Sequence, residues 1–70
     1  MNATDNLADS ARSLRQRVRN EFLEMPGLYL TPAQAARLWA LDMMTSERIL
    51  GELVQDGFLL RGRNGAYLRA

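Results

Sequence analysis

The segment TPAQAARLWALDMMTSERILGELVQDGFL, residues 31–59, contains two helix starts that lie close together in the chain. Thr31 can cap the amides of a first turn, Pro32 suits the first helical position, and Gln34 completes a capping box. Asp42 offers a second N-cap shortly afterwards. The segment therefore predicts two helices joined by a tight turn.

The spacing of small and apolar residues predicts which side of each helix is buried. The inner side of the first helix, which we expect to end near Ala40, carries Ala35, Leu38 and Trp39. The second helix has a stripe of aliphatic side chains: Ile49, Leu50, Leu53 and Val54. It should end near Gly57, because glycine is the usual residue for a left-handed C-terminal cap.

The residues before this segment predict a further helix, from about residue 8 to residue 24. Apolar residues recur there at intervals of three and four: Leu7, Ala11, Leu14, Val18, Phe22 and Met25. The sequence Met25-Pro26-Gly27 stops the helix, since the residue before a proline is pushed out of the helical region. We expect residues 1–7 to be a flexible tail and residues 8–70 to form one domain.

The residues after the segment predict a β-hairpin. FLLR and AYLR, residues 58–61 and 66–69, are strand-like, and Asn64 and Gly65 between them can take the positive φ values of a tight turn. LYL at 28–30 is the natural third strand, because a lone hairpin is marginal in water. We predict an α+β fold that is mainly α, with three helices and an antiparallel sheet of two or three strands.

Composition narrows the classes of function. The chain has no cysteine and no histidine, which removes disulfides, the usual zinc sites and the commonest general base. The carboxylate pairs at helical spacing, Glu21 with Glu24 and Glu52 with Asp56, fall on surfaces without an apparent apolar pocket. We therefore expect no catalysis, no metal, no organic cofactor and no small-molecule ligand.

Hydropathy and charge bear on location and partners. No apolar run approaches the roughly 20 residues needed to cross a bilayer, and the N-terminus lacks the features of a signal peptide, so we expect a cytoplasmic protein. The net charge is only +1, and all nine basic residues are arginine. Residues 28–57 carry more acidic than basic side chains, whereas residues 58–70 carry arginines and no acidic residue.

The order helix, short strand, helix, turn, helix, hairpin resembles the bacterial winged helix-turn-helix domains of transcription regulators. The likeness covers residues 31–69 well and the first helix by position alone. Such domains usually have a glycine in the turn and a valine inside the third helix, where this chain has Ala40 and Ser46. Ser46 falls within the buried stripe, so its hydroxyl must bond a backbone carbonyl or face a gap.

This resemblance implies double-stranded DNA as the partner, with the third helix in the major groove and the hairpin on the backbone. The residues then expected at base edges are Met44, Thr45, Glu47 and Arg48. Opposite the buried stripe, the helical projection gives an outward line of Met44, Arg48, Gly51 and Gln55. Glu47 and Glu52 flank this line and would repel phosphate.

Arginines elsewhere supply the expected phosphate contacts. Arg61 and Arg63 lie at the tip of the predicted hairpin, and Arg12, Arg15 and Arg19 share one side of the first helix. An alternative interpretation keeps the fold but makes it a module for protein binding or self-association. In a homodimer of that kind, the acidic third helix would meet the arginine side of another copy.

Overall fold

The computed structural model describes the backbone of residues 3–70 and the side chains of residues 11–70. It has three helices and a small antiparallel sheet, the layout expected of a winged-helix-like α+β domain. The elements in chain order are α1 (Ala3–Glu24), β1 (Tyr29–Leu30), α2 (Pro32–Leu38), α3 (Met43–Gln55), β2 (Leu59–Arg61) and β3 (Tyr67–Arg69). The three-stranded form of the predicted sheet is confirmed, with strand order β1-β3-β2.

Helix α1 begins at Ala3, earlier than the predicted start near residue 8, because the polar residues at its beginning continue the helix. Val18 and Phe22 on its apolar stripe are fully buried, as predicted. Met25, however, was wrongly assigned to the buried stripe and is 42% exposed. The helix ends at Glu24, so Met25 leaves the helical periodicity before the turn at Pro26 and Gly27.

The predicted start of α2 is confirmed in full. The Thr31 hydroxyl accepts from the Gln34 backbone N–H at 3.2 Å, and the Gln34 side chain accepts from the Thr31 N–H at 3.0 Å. The helix ends at Leu38, slightly before the predicted end, and its C-terminal cap has Ala40 in the left-handed region with φ 55°. Leu38 was wrongly expected inside and is 55% exposed, because the packed side of this short helix is the side of Ala35 and Trp39.

Helix α3 begins where predicted and buries most of the expected stripe. The Asp42 carboxylate accepts from the Thr45 backbone N–H at 2.7 Å. The fully buried residues of this helix are Ser46, Ile49, Leu50 and Leu53, whereas Val54 is only half-buried at its edge. Beyond its C-cap, Gly57 has φ 81°, which confirms the predicted left-handed cap.

The hairpin joins the sheet through its second strand. β3 lies in the middle, and Leu68 is opposite both Tyr29 of β1 and Leu60 of β2. Of the two predicted turn residues, only Gly65 has positive φ, at 81°. Asn64 stabilises the turn through its side chain instead, since its Oδ1 accepts from the Ala66 N–H at 3.1 Å.

One core joins the helices to the inner face of the sheet. Its buried members are Val18, Phe22, Ala35, Trp39, Ile49, Leu50, Leu53, Leu59 and Tyr67. The rings of Phe22 and Trp39 meet in a tilted arrangement with centroids 6.2 Å apart. Ser46 interrupts this core, because its hydroxyl has no hydrogen-bond partner among the described residues and borders an apolar gap too narrow for a water molecule.

Candidate functional site

The outward side of α3 is open to solvent along the predicted line. Met44 is 74% exposed, and Arg48 and Gln55 are also exposed. Gly51 lies between these two polar residues, and Glu47 is exposed beside them. The inward side of the same helix is in the core, so the division between buried and exposed residues predicted from the sequence is confirmed.

The first turn of α3 is held by hydrogen bonds of its own. Thr45 donates its backbone N–H and also its hydroxyl to Asp42, the hydroxyl at 2.9 Å. These bonds, the backbone one foremost, lower the pKa of Asp42 below its ordinary value of 3.8. Thr45 is half-buried in this arrangement, so its side chain serves the cap and is less available to a base edge than the sequence suggested.

A groove of about 230 Å³ lies between α1 and α3 on the surface of the protein. Its lining combines aliphatic and charged side chains: Ala11, Arg12, Leu14, Arg15, Thr45, Arg48, Ile49 and Glu52. Two of the predicted arginines of α1 therefore lie beside the predicted arginine of α3. The groove has three guanidinium groups and one carboxylate, so it is basic although α3 by itself carries more acid than base.

One ion pair crosses this groove. Nη1 of Arg15 donates to Oε1 of Glu52 at 2.9 Å, and both side chains are about two-fifths exposed. An ion pair this accessible to water stabilises the fold little. Its effect on the charge of the surface is larger, because Glu52 is one of the two carboxylates expected to repel phosphate.

Arg19 is not among the residues that line the groove. Its guanidinium carbon lies 4.9 Å from the centroid of the Phe58 ring, and that of Arg69 lies 4.7 Å from the same centroid. Both distances suit a cation–π contact. The structure therefore separates Arg19 from Arg12 and Arg15, because one further helical turn along α1 brings it to Phe58.

The hairpin leaves its two predicted arginines in solvent. Arg61 ends β2 and Arg63 lies in the turn, and both are exposed. Neither forms an ion pair with another residue in the part of the chain that the structure describes. The Gly62 N–H donates to the Ala66 carbonyl at 2.7 Å, which closes the turn between them.

The outer face of the sheet carries a row of exposed apolar side chains that was not predicted from the sequence. Tyr29, Leu68 and Leu60 are paired across the three strands and are 62%, 38% and 54% exposed, respectively. We name these three residues the outer row. Consecutive apolar residues in each strand could have indicated this row. Neighbouring residues of a strand point to opposite faces, so one of each pair lies on the outer face, which is exposed here.

Comparisons with protein-family models, with curated proteins and with solved structures give no match to this chain. Among residues 3–70, no helix is long and apolar enough to span a membrane. Among the described side chains, those of residues 11–70, acidic groups do not gather into a cluster that would hold a metal ion.

Proposed function

We propose that this chain is a winged helix-turn-helix protein that binds double-stranded DNA and acts in transcription regulation. The proposal is supported above all by the groove between α1 and α3, which brings Arg12 and Arg15 beside Arg48 at the edge of the open face of α3. Phosphate contacts dominate the affinity of proteins for DNA, and base contacts add specificity. The surface has donors suited to both.

In the proposed complex, α3 enters the major groove with the N-terminal part of its outward line toward the bases. Arg48 is suited to donate two hydrogen bonds to guanine, Met44 to contact a thymine methyl, and Glu47 to accept from cytosine N4. Gln55 lies further along the helix, toward a phosphate or a second base. Thr45 acts indirectly, since its hydrogen bonds to Asp42 fix the first turn of α3.

The acidic residues of α3 oppose binding less than their number suggests. Arg15 compensates the charge of Glu52 within the free protein. Glu47 has no ion-pair partner among the described residues, so its cost is the larger unless it meets a cytosine. Arg61 and Arg63 at the hairpin then contact the backbone beside the groove, where their exposure leaves them free to meet phosphate.

The test is binding of a mixed-sequence duplex, followed by fluorescence anisotropy over a range of salt concentrations. We expect affinity to fall steeply as salt rises, and Arg63→Ala to lower the slope of log K against log[salt] by about 0.9, the effect of one phosphate contact. Arg17→Ala is the matched control, because it removes the same charge from a part of α1 that also carries Glu21 and Glu24. An equal change of slope in both variants, or no binding at low salt, would refute the proposal.

A second candidate function is protein binding or self-association, and the outer row favours it. The three exposed apolar side chains are aligned across the sheet and form one continuous apolar surface that another protein could cover. Sedimentation velocity of the wild type and of Leu60→Ser tests self-association. A wild-type monomer at high protein concentration, in both low and high salt, would count against this function in its homodimeric form.

A further inference from the structure

The outward line of α3 is interrupted at its centre by Gly51. This residue follows Arg48 by one helical turn and precedes Gln55 by another, in the middle of a regular helix. Its φ is not positive, so the backbone conformation does not require glycine. A Cβ atom built onto Gly51 would meet no atom within 4 Å, so packing within the described chain does not require glycine either.

A glycine in the middle of a helix is unfavourable, because it loses more backbone freedom on folding than alanine does. The fold would therefore gain from a methyl group at this position, and the free space around it would accept one. A glycine on a helix surface is useful where a partner must approach the helix backbone closely, because no side chain stands in the way.

We infer that a sugar–phosphate strand of the bound duplex crosses α3 at Gly51, in van der Waals contact with the helix backbone. Arg48 and Gln55 lie on either side of the crossing, roughly 10 Å apart along the helix axis. This inference rests on the proposed function and adds the path of the strand to it. A helix with its side chains is about 10–12 Å wide and the major groove about 12 Å, so a helix in the groove lies close to the strands that border it.

The charges around Gly51 suit an anionic strand better than an apolar surface. Glu52, the next residue, is paired with Arg15 at 2.9 Å, which brings a guanidinium of α1 to the edge of the crossing. Arg12 lines the same groove. A strand at Gly51 would therefore have Arg48 beside it on α3 and the arginines of α1 at the edge of the crossing, with the nearest carboxylate already compensated.

Gly51→Ala tests the inference, because its expected effects on stability and on binding have opposite signs. We expect the melting temperature to rise by roughly 4–8 °C, and the affinity for a mixed-sequence duplex to fall about tenfold. Ser13→Ala on the exposed surface of α1 is the control for stabilisation alone. It should raise the melting temperature by a smaller amount and leave the affinity within twofold of the wild type.

A measurement on the unmodified protein complements the variant. In an NMR titration of the labelled wild type with the same duplex, the amide signal of Gly51 should be among those that shift most, together with its neighbours on the outward line. This readout does not depend on how the variant folds. An unchanged Gly51 signal, while the hairpin signals shift, would overturn the inference.

The remaining outcomes separate the inference from the function it extends. A stabilised Gly51→Ala that binds DNA as the wild type does would refute the strand crossing and leave DNA binding intact. A wild type that does not bind DNA would remove both. If Gly51→Ala abolishes self-association in sedimentation but not DNA affinity, a second copy occupies this surface instead of a nucleic-acid strand.

Discussion

The ends of α2 and α3 use the same hydrogen-bond motif with different residues at its key position. At α2 the Leu41 N–H donates to the Ala36 carbonyl at 2.8 Å, and at α3 the Phe58 N–H donates to the Leu53 carbonyl at 3.0 Å. Both are the long bond of a Schellman cap, which requires one left-handed residue. Glycine supplies it in α3, at Gly57, whereas α2 uses Ala40.

The surroundings of the two caps differ as well. The cap of α3 has the second bond of the motif, from the Gly57 N–H to the Val54 carbonyl at 3.0 Å. The cap of α2 borders the apolar gap beneath Ser46, since Trp39 and Leu41 both line it. The turn between α2 and α3 therefore has a backbone conformation that its own residues disfavour. Capping at Asp42 and the core contacts of Trp39 and Leu50 hold it in place.

The largest change should come from the gap beside the α2 cap. Ser46→Ala removes a buried hydroxyl that has no hydrogen-bond partner in the described part of the chain, and it introduces a better helix former, so we expect the free energy of unfolding to rise by about 2 kcal/mol. Urea unfolding measures this. Ser13→Ala, at an exposed site of α1, should gain only about 0.5 kcal/mol from helix propensity. Equal gains in the two variants would mean that burial of the Ser46 hydroxyl costs nothing.

Exchanging the residues of the two caps should give effects of opposite sign. We expect Ala40→Gly to stabilise the protein and Gly57→Ala to destabilise it, each by about 1 kcal/mol. The left-handed conformation penalises a Cβ, and the lower backbone entropy of alanine when unfolded offsets part of that penalty. Both are measured by urea unfolding. If Ala40→Gly also destabilised the protein, the α2 cap would not be strained as its φ of 55° indicates.

The smallest effect concerns the N-cap that follows the α2 cap. Because hydrogen bonds from Thr45 lower the pKa of Asp42 in the folded state, its contribution to stability is present above the ordinary value of 3.8. It is lost as pH falls through the lower, folded pKa. We expect thermal unfolding of the wild type between pH 5 and pH 2.5 to show this loss, and Asp42→Asn, which still caps, to show less of it. Identical pH profiles for the wild type and Asp42→Asn would contradict the contribution of the ionised Asp42 carboxylate to stability.

The sequence was sufficient for the parts of the fold that depend on local chemistry. Thr31, Pro32 and Gln34 specify the start of α2 whatever surrounds them, and Asp42 does the same for α3. Apolar spacing was enough to place Phe22 and Leu50 inside, because a helix has a fixed angular repeat. The same logic was wrong at Met25, which lies beyond the end of α1 where that repeat no longer applies. It was also wrong at Leu38, because the packed side of α2 is the side of Ala35 and Trp39.

The candidate site was only partly predictable for a related reason. Position along a helix showed that Arg48 and Gln55 face outward, and the hairpin pattern placed Arg61 and Arg63 near the turn. It did not show that Arg15 bonds to Glu52, because those residues are 37 positions apart and meet only when α1 packs on α3. Nor did it show that Phe58 attracts Arg19 and Arg69 from two other elements.

Local sequence alone specifies where the helices begin, which of their faces are apolar, and which residues form the hairpin turn. These properties depend on neighbours within about one helical turn or one strand pair, and such neighbours are visible in a linear pattern. The order of the strands, the exposed outer row, the gap at Ser46 and the groove between α1 and α3 follow from tertiary packing. Each of these depends on contacts between distant segments, whose relative placement results from packing the whole core.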